Sequence, residues 1–186
     1  MNKVHFALGL LLAATPASAQ GPVAVPSFDS VELQGGGQIV VRHGPIQRVT
    51  IVRGNSEMTR FSVERGRLEI RACVRSCRDY DLQVEIVTPD MDALAIRGGG
   101  AIRVEGRFPR RDELAIAVTG GGAIDARSIE AGDVAASISG GGSIRTHASA
   151  RLAASINGGG AVRYRGDPET TVAINGGGSV TADSGG

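Results

Sequence analysis

The stretch Ala136-Ser137-Ile138-Ser139-Gly140-Gly141-Gly142-Ser143-Ile144-Arg145 returns 18 residues later as Ala154-Ser155-Ile156-Asn157-Gly158-Gly159-Gly160-Ala161-Val162-Arg163. It returns again, after a further 18, as Val172-Ala173-Ile174-Asn175-Gly176-Gly177-Gly178-Ser179-Val180-Thr181. Three earlier copies are centred on triplets that begin at Gly35, Gly98 and Gly120. Aligned on the first glycine, the residues two places before it are Leu33, Ile96, Val118, Ile138, Ile156 and Ile174, and those four places after it are Ile39, Ile102, Ile124, Ile144, Val162 and Val180. The residues one place before it are polar in all six copies: Gln34, Arg97, Thr119, Ser139, Asn157 and Asn175. Apolar and polar positions alternate, so the flanking segments read as strands with one buried face. A helix is excluded on both sides, because three consecutive glycines would cost its interior about 3 kcal/mol relative to alanine. Each unit is strand, triplet, strand, turn.

The last five triplets are spaced 22, 20, 18 and 18 residues apart, and the first gap of 63 is close to three further units. Regular spacing near 20 is the mark of stacked repeats. The reading is therefore all-β: a parallel β-helix or closely related β-solenoid, with coils of 18–22 residues, Gly-Gly-Gly corners and interior ladders of Ile and Val. Between the first two triplets the pattern is less regular. Arg48 to Arg53, Arg60 to Glu64, Leu68 to Arg71 and Leu82 to Val87 read as strands, either irregular coils or antiparallel hairpins.

Length and composition bound the rest. The 186 residues suit one domain. Residues 1–19 read as a signal peptide: Lys3 is the basic region, Phe6 to Ala14 the apolar one, and Ala17-Ser18-Ala19 the cleavage motif, with cleavage after Ala19. Residues 20–27 read as a linker and 28–186 as the domain, less regular over 28–90 and regular over 91–183. Lys3 is the sole lysine, so the mature part carries 19 Arg against 19 Asp plus Glu and is formally neutral. That balance gives no bulk attraction to nucleic acid. No apolar run in the mature chain is long enough for a membrane-spanning helix. Cys73 and Cys77 read as a structural disulfide in an oxidising compartment.

Chemistry is sparse. Only His43 and His147 survive signal cleavage, and neither has a triad-like neighbour in sequence. No nucleophile–base arrangement, metal-ligand spacing or cofactor motif is present. A phosphate loop would need a helix after the glycines, and here strands follow. The reading is a non-enzyme with no cofactor and no metal. One template position, five residues after the first glycine, carries Arg103, Asp125, Arg145 and Arg163. Stacked on an outer face, Arg103, Arg145 and Arg163 form a candidate strip for an anionic envelope polysaccharide. The last unit leaves a sheet end that could stack on another copy or on a protein partner, or be shielded by the tail.

The run Phe28-Asp29-Ser30-Val31-Glu32-Leu33 before the first triplet resembles a known family. So do Leu68-Glu69-Ile70, then Leu82-Gln83-Val84-Glu85-Ile86 with Thr88-Pro89, and the closing Tyr164-Arg165-Gly166-Asp167-Pro168. The family is the GIN head domain of auto-transporter adhesins, and the resemblance covers Phe28 to Ala182. It implies a right-handed β-helical fold and an exported protein of the periplasm or cell surface of a Gram-negative bacterium. The implied role is a non-catalytic, adhesin-like or structural interaction module of the envelope, the alternative being a protein that binds or acts on envelope polysaccharide. The family brings no catalytic residues. Many members carry Gly-Ser-Gly where this chain has Gly-Gly-Gly.

Overall fold

A computed structural model describes residues 21–74 and 80–183. The strands, in chain order, are β1 (Pro22–Val23), β2 (Ser30–Gly35), β3 (Gln38–His43), β4 (Arg48–Arg53), β5 (Arg60–Glu64), β6 (Arg67–Arg71), β7 (Gln83–Thr88) and β8 (Ala93–Gly98). They continue with β9 (Ala101–Glu105), β10 (Arg111–Gly120), β11 (Ala123–Gly140), β12 (Ser143–Asn157), β13 (Ala161–Arg165), β14 (Glu169–Asn175) and β15 (Ser179–Ala182). All belong to one sheet. The signal-peptide reading falls on residues outside the described ones, as does Cys77 of the expected disulfide.

The repeat pattern becomes register. On one flank β6, β2, β8, β10, β11, β12 and β14 pair in parallel, which aligns Ile70, Leu33, Ile96, Val118, Ile138, Ile156 and Ile174. On the other, β7, β3, β9, β11, β12, β13 and β15 align Val84, Ile39, Ile102, Ile124, Ile144, Val162 and Val180. The two ladders face one interior. Ile138 and Ile156 are buried, whereas Ile174, in the outermost layer, is 43% exposed.

The expectation of a regular right-handed parallel β-helix is corrected by this topology. The sheet is mixed: β1 with β4, β4 with β7, and β5 with β6 run antiparallel. It curls over the core as an open half-barrel whose end strands in the sheet order, β1 and β5, do not pair. The cause is local turn chemistry. Arg65 and Gly66 join β5 to β6 with φ of 51° and 78°. Two left-handed residues in a two-residue loop demand an antiparallel hairpin. The long β11 and β12 add a second irregularity. Each runs from one flank to the other, and their pairing shifts register between Asp125 and Glu130 and again between Ala131 and Asp133. Residues 22–23, expected in a linker, pair as β1 with β4.

The start of the domain is pinned by Gln47. Its Oε1 accepts from the Phe28 N–H at 3.1 Å, and its Nε2 donates to the Phe28 carbonyl at 2.7 Å. The Tyr80 hydroxyl holds the 54–59 turn by donating to the Asn55 carbonyl at 2.9 Å.

The three glycines of a triplet do different things. At Gly140, φ is +128°, a region that side chains disfavour. A Cβ there would lie 2.5 Å from the carbonyl oxygen of Gly120, one layer back. That oxygen is in place because it accepts from the Gly141 N–H at 3.1 Å. At Gly142, a Cβ would lie 2.5 Å from Val118 Cγ1. At Gly141, nothing stands within 4 Å. The middle position therefore has room for a side chain.

Gly140→Ala should lower unfolding free energy by about 1–3 kcal/mol, while Gly141→Ser should change it by less than about 0.5 kcal/mol. Urea titration of the two variants side by side checks the contrast. The Thr146 hydroxyl is fully buried and, among the described residues, has no hydrogen-bond partner. Thr146→Val, similar in shape, should raise the urea midpoint by the equivalent of about 1 kcal/mol.

Candidate functional site

Strand alternation sends every second residue outward, and parallel pairing turns equivalent outward positions into columns. On the flank built from β9, β11, β12, β13 and β15, Arg103 stands opposite Asp125, Asp125 opposite Arg145, Arg145 opposite Arg163, and Arg163 opposite Thr181. The expected column is thus one continuous row of neighbours. Strands lie about 4.8 Å apart, so Arg103 and Arg163 are separated by about 14 Å along the stack.

The members of the row differ in electrostatic state. Arg127 grips Asp125 with both ends of its guanidinium: Nε donates to Oδ1 at 2.9 Å and Nη2 to Oδ2 at 2.7 Å. Its Nη1 also reaches Asp183 at 3.2 Å. Arg145 lies 3.9 Å from Asp125, and Arg165 3.6 Å from Asp183. Burial pushes the Asp125 carboxyl up, but the hydrogen bonds from Arg127 and the charges of Arg127 and Arg145 outweigh it, leaving Asp125 below the usual carboxylate range. The Arg127 guanidinium is raised, first by its hydrogen bond to Asp125. Arg103 and Arg163 are exposed. Among the described residues neither has an ion pair or a side-chain hydrogen bond. A polar cleft of about 400 Å³ opens between Arg103, Glu105, Asp125, Arg127 and Arg165.

The strip is therefore two free arginines flanking a neutralised pair. Arg127, Arg165 and Asp183 were not among the expected site residues. All three stand seven residues after the first glycine of their triplets, but Arg127 lies where β11 and β12 lose register, so the ladder gives it no partner across the strands. The spacing of Asp125 and Arg127, two apart on one strand face, was the available signal.

Other charged groups are committed to structure. Arg42 binds Glu105 at 2.9 Å and also Glu85. Glu32 is buried, forms an ion pair with Arg97 at 2.7 Å and accepts from Gln34 Nε2 at 2.9 Å. Two larger hollows lie on the opposite flank. One, of about 690 Å³, is a trough floored by Ala95, Ala117, Ser137, Ser155 and Ala173; the other, of about 820 Å³, is rimmed by Arg110, Arg111, Asp133 and Arg151. His43 meets the Phe108 ring edge-on at 5.3 Å, and His147 stands opposite Arg165. The fold does not bring the two histidines into one site: one lies on β3 and the other on β12. Among the described residues no group of three or more His, Cys, Asp or Glu is placed to hold a metal ion, and no helix is long and apolar enough to cross a membrane.

A family model described as "Putative auto-transporter adhesin, head GIN domain" matches residues 27–112 and 109–168. Two crystal structures are similar in fold. A putative adhesin from Bacteroides fragilis is 16% identical, with a TM-score of 0.55, over 87% of this chain and 95% of the other. A putative adhesin from Parabacteroides distasonis is also 16% identical, with a TM-score of 0.53 and the same coverage. No curated protein matches the chain.

The depressed Asp125 carboxyl carries a pH signature. A carboxyl lowered in the folded state adds stability that is fully present above its unfolded value, near about 4, and is lost as pH falls through the folded value. The urea midpoint should stay level from neutral pH down to about 5 and drop below about 4. Asp125→Asn should flatten part of that acid-side drop, as read by urea titrations at stepped pH.

Proposed function

As the chain belongs to the "putative auto-transporter adhesin, head GIN domain" family, we propose that it is an exported, non-catalytic adhesion module that grips an anionic envelope polysaccharide with Arg103, Arg145 and Arg163. The observation that carries this reading is the unequal pairing along the row. Asp125 is already satisfied by Arg127, so it does not neutralise Arg103 or Arg163. Both free guanidiniums keep their donors available for carboxylate or sulfate groups, which they bind in a planar fork. A row along the stacking direction suits an extended polymer better than a small ligand held in an enclosed pocket. The acidic side chains on this face are tied to arginines rather than set as a free carboxylate pair, which supports binding over glycoside hydrolysis.

The same reading places the mature protein outside the cytoplasm, in the periplasm or at the cell surface of a Gram-negative bacterium. The three-part pattern of residues 1–19 supports export with cleavage after Ala19. Cys73 and Cys77 would then pair in an oxidising compartment.

The test is retention of the mature protein on immobilised polygalacturonate, with neutral dextran as control. The wild type should bind polygalacturonate at low salt and elute as salt rises, since exposed ion pairs are screened. Replacing Arg103, Arg145 and Arg163 together by Ser should weaken retention by about 5- to 100-fold, if each exposed pair contributes up to about 1 kcal/mol. Equal retention of wild type and triple variant, or equal binding to dextran, would remove the assignment.

A further inference from the structure

Each inner layer is covered on both sides by a strand in register. β12, for example, has β11 on one side and β13 and β14 on the other. The outermost layer differs. β14 pairs with β12 alone and β15 with β13 alone. Among the described residues, the far edge of this layer has no strand neighbour. Its inward positions show the consequence: Val172 is 45% and Ile174 43% exposed, whereas Ala154 and Ile156, one layer in, are 4% and 1%. All seven residues of β14 are exposed.

Exposed sheet edges are usually defended by charge, proline or a bulge. From Thr170 to Asn175 there is no charged residue and no proline, and the pairing with β12 is unbroken from Arg151–Glu169 to Asn157–Asn175. The opposite limit of the sheet offers no match for head-to-tail stacking. There β5 runs antiparallel, its ends carry Arg60 and Glu64, and Phe61 and Val63 are half-buried against the core.

We propose that a second copy of this chain covers the open edge, forming a two-fold symmetric dimer in which β14 pairs antiparallel with β14 and β15 with β15. The register follows from the template. Val172 lies four residues before Gly176 and Val180 four residues after it, on the two facing flanks. A two-fold axis through both sets each valine against its own equivalent. Thr170 then meets the partner's Ile174, so the inward residues of both copies close one shared interior. The only charge on β14, Glu169, meets the partner's Asn175 rather than a second carboxylate. Such a contact is isologous and closes at two copies.

Sedimentation equilibrium of the mature chain tests this. The expected result is a reversible monomer–dimer mixture, with Val172→Lys monomeric over the same concentrations because two ammonium groups would face each other on the axis. Circular dichroism should show the wild-type spectrum for that variant. Register is read by cysteine cross-linking under mild oxidation. Val172→Cys should give a covalent dimer, whereas Ala173→Cys should not, because it faces the partner's Thr171. A monomer at every concentration up to about 100 μM, a dimer that survives Val172→Lys, or equal cross-linking at 172 and 173 would overturn the proposal.

Discussion

The carbonyl oxygen of the first glycine, as at Gly35, Gly98 and Gly120, is the contact from which the architecture grows. It accepts from the middle glycine's N–H one layer on, as Gly120 does from Gly141 at 3.1 Å. That bond brings the next first glycine so close that a Cβ at Gly140 would sit 2.5 Å from the oxygen. The same backbone is held at a φ that L side chains avoid. Two independent constraints, one of space and one of torsion, thus select glycine at one position. A third, packing against Val118, selects it two residues on at Gly142. Because the corner repeats at the same place in every layer, the strands on either side stay in register. The interior Ile and Val then stack on themselves, and β-branched side chains pack well on such a pleated surface.

Register on the inside enforces register on the outside. This is how Arg103, Asp125, Arg145 and Arg163 come to be a row without any one strand carrying more than a single member. The row is not uniformly basic, because β11 loses step with β12 just after Asp125. There Arg127 folds onto Asp125 and ties Asp183 into the same cluster. An irregularity in the repeat thus converts one part of the row from an open binding surface into an internal brace. The two arginines beyond it remain available.

The edges of the sheet obey different rules. At one end the chain leaves the parallel pattern: the Arg65-Gly66 turn folds β5 back on β6, and β4 lies antiparallel beside β7. The last of them, β5, half-buries Phe61 and Val63 and carries Arg60 and Glu64 at its ends. At the other end Val172 and Ile174 are exposed at positions that every inner layer buries. The contrast between the two ends is the physical basis for the proposed pairing of β14 and β15 with a second copy.

The sequence alone determined the strand content, the inward face of nearly every strand and the equivalence of the six triplets, because alternation and glycine spacing are local properties that survive in one dimension. It also located β4 and β5 to the residue, and β6 and β7 to within one, from their bounding turns. Only the tertiary structure decided that the sheet is mixed. Whether Arg48 to Arg53 runs with or against Leu82 to Val87 depends on long-range pairing, and the hydrophobic pattern is the same for both directions. Only the tertiary structure joined Arg127 and Asp183, which are 56 residues apart and whose shared template position, seven residues after the first glycine, says nothing of a direct contact across the intervening layers. Ile174 made the same point inside the repeat. Its sequence environment matches that of Ile156, yet its burial differs because burial depends on whether another layer follows.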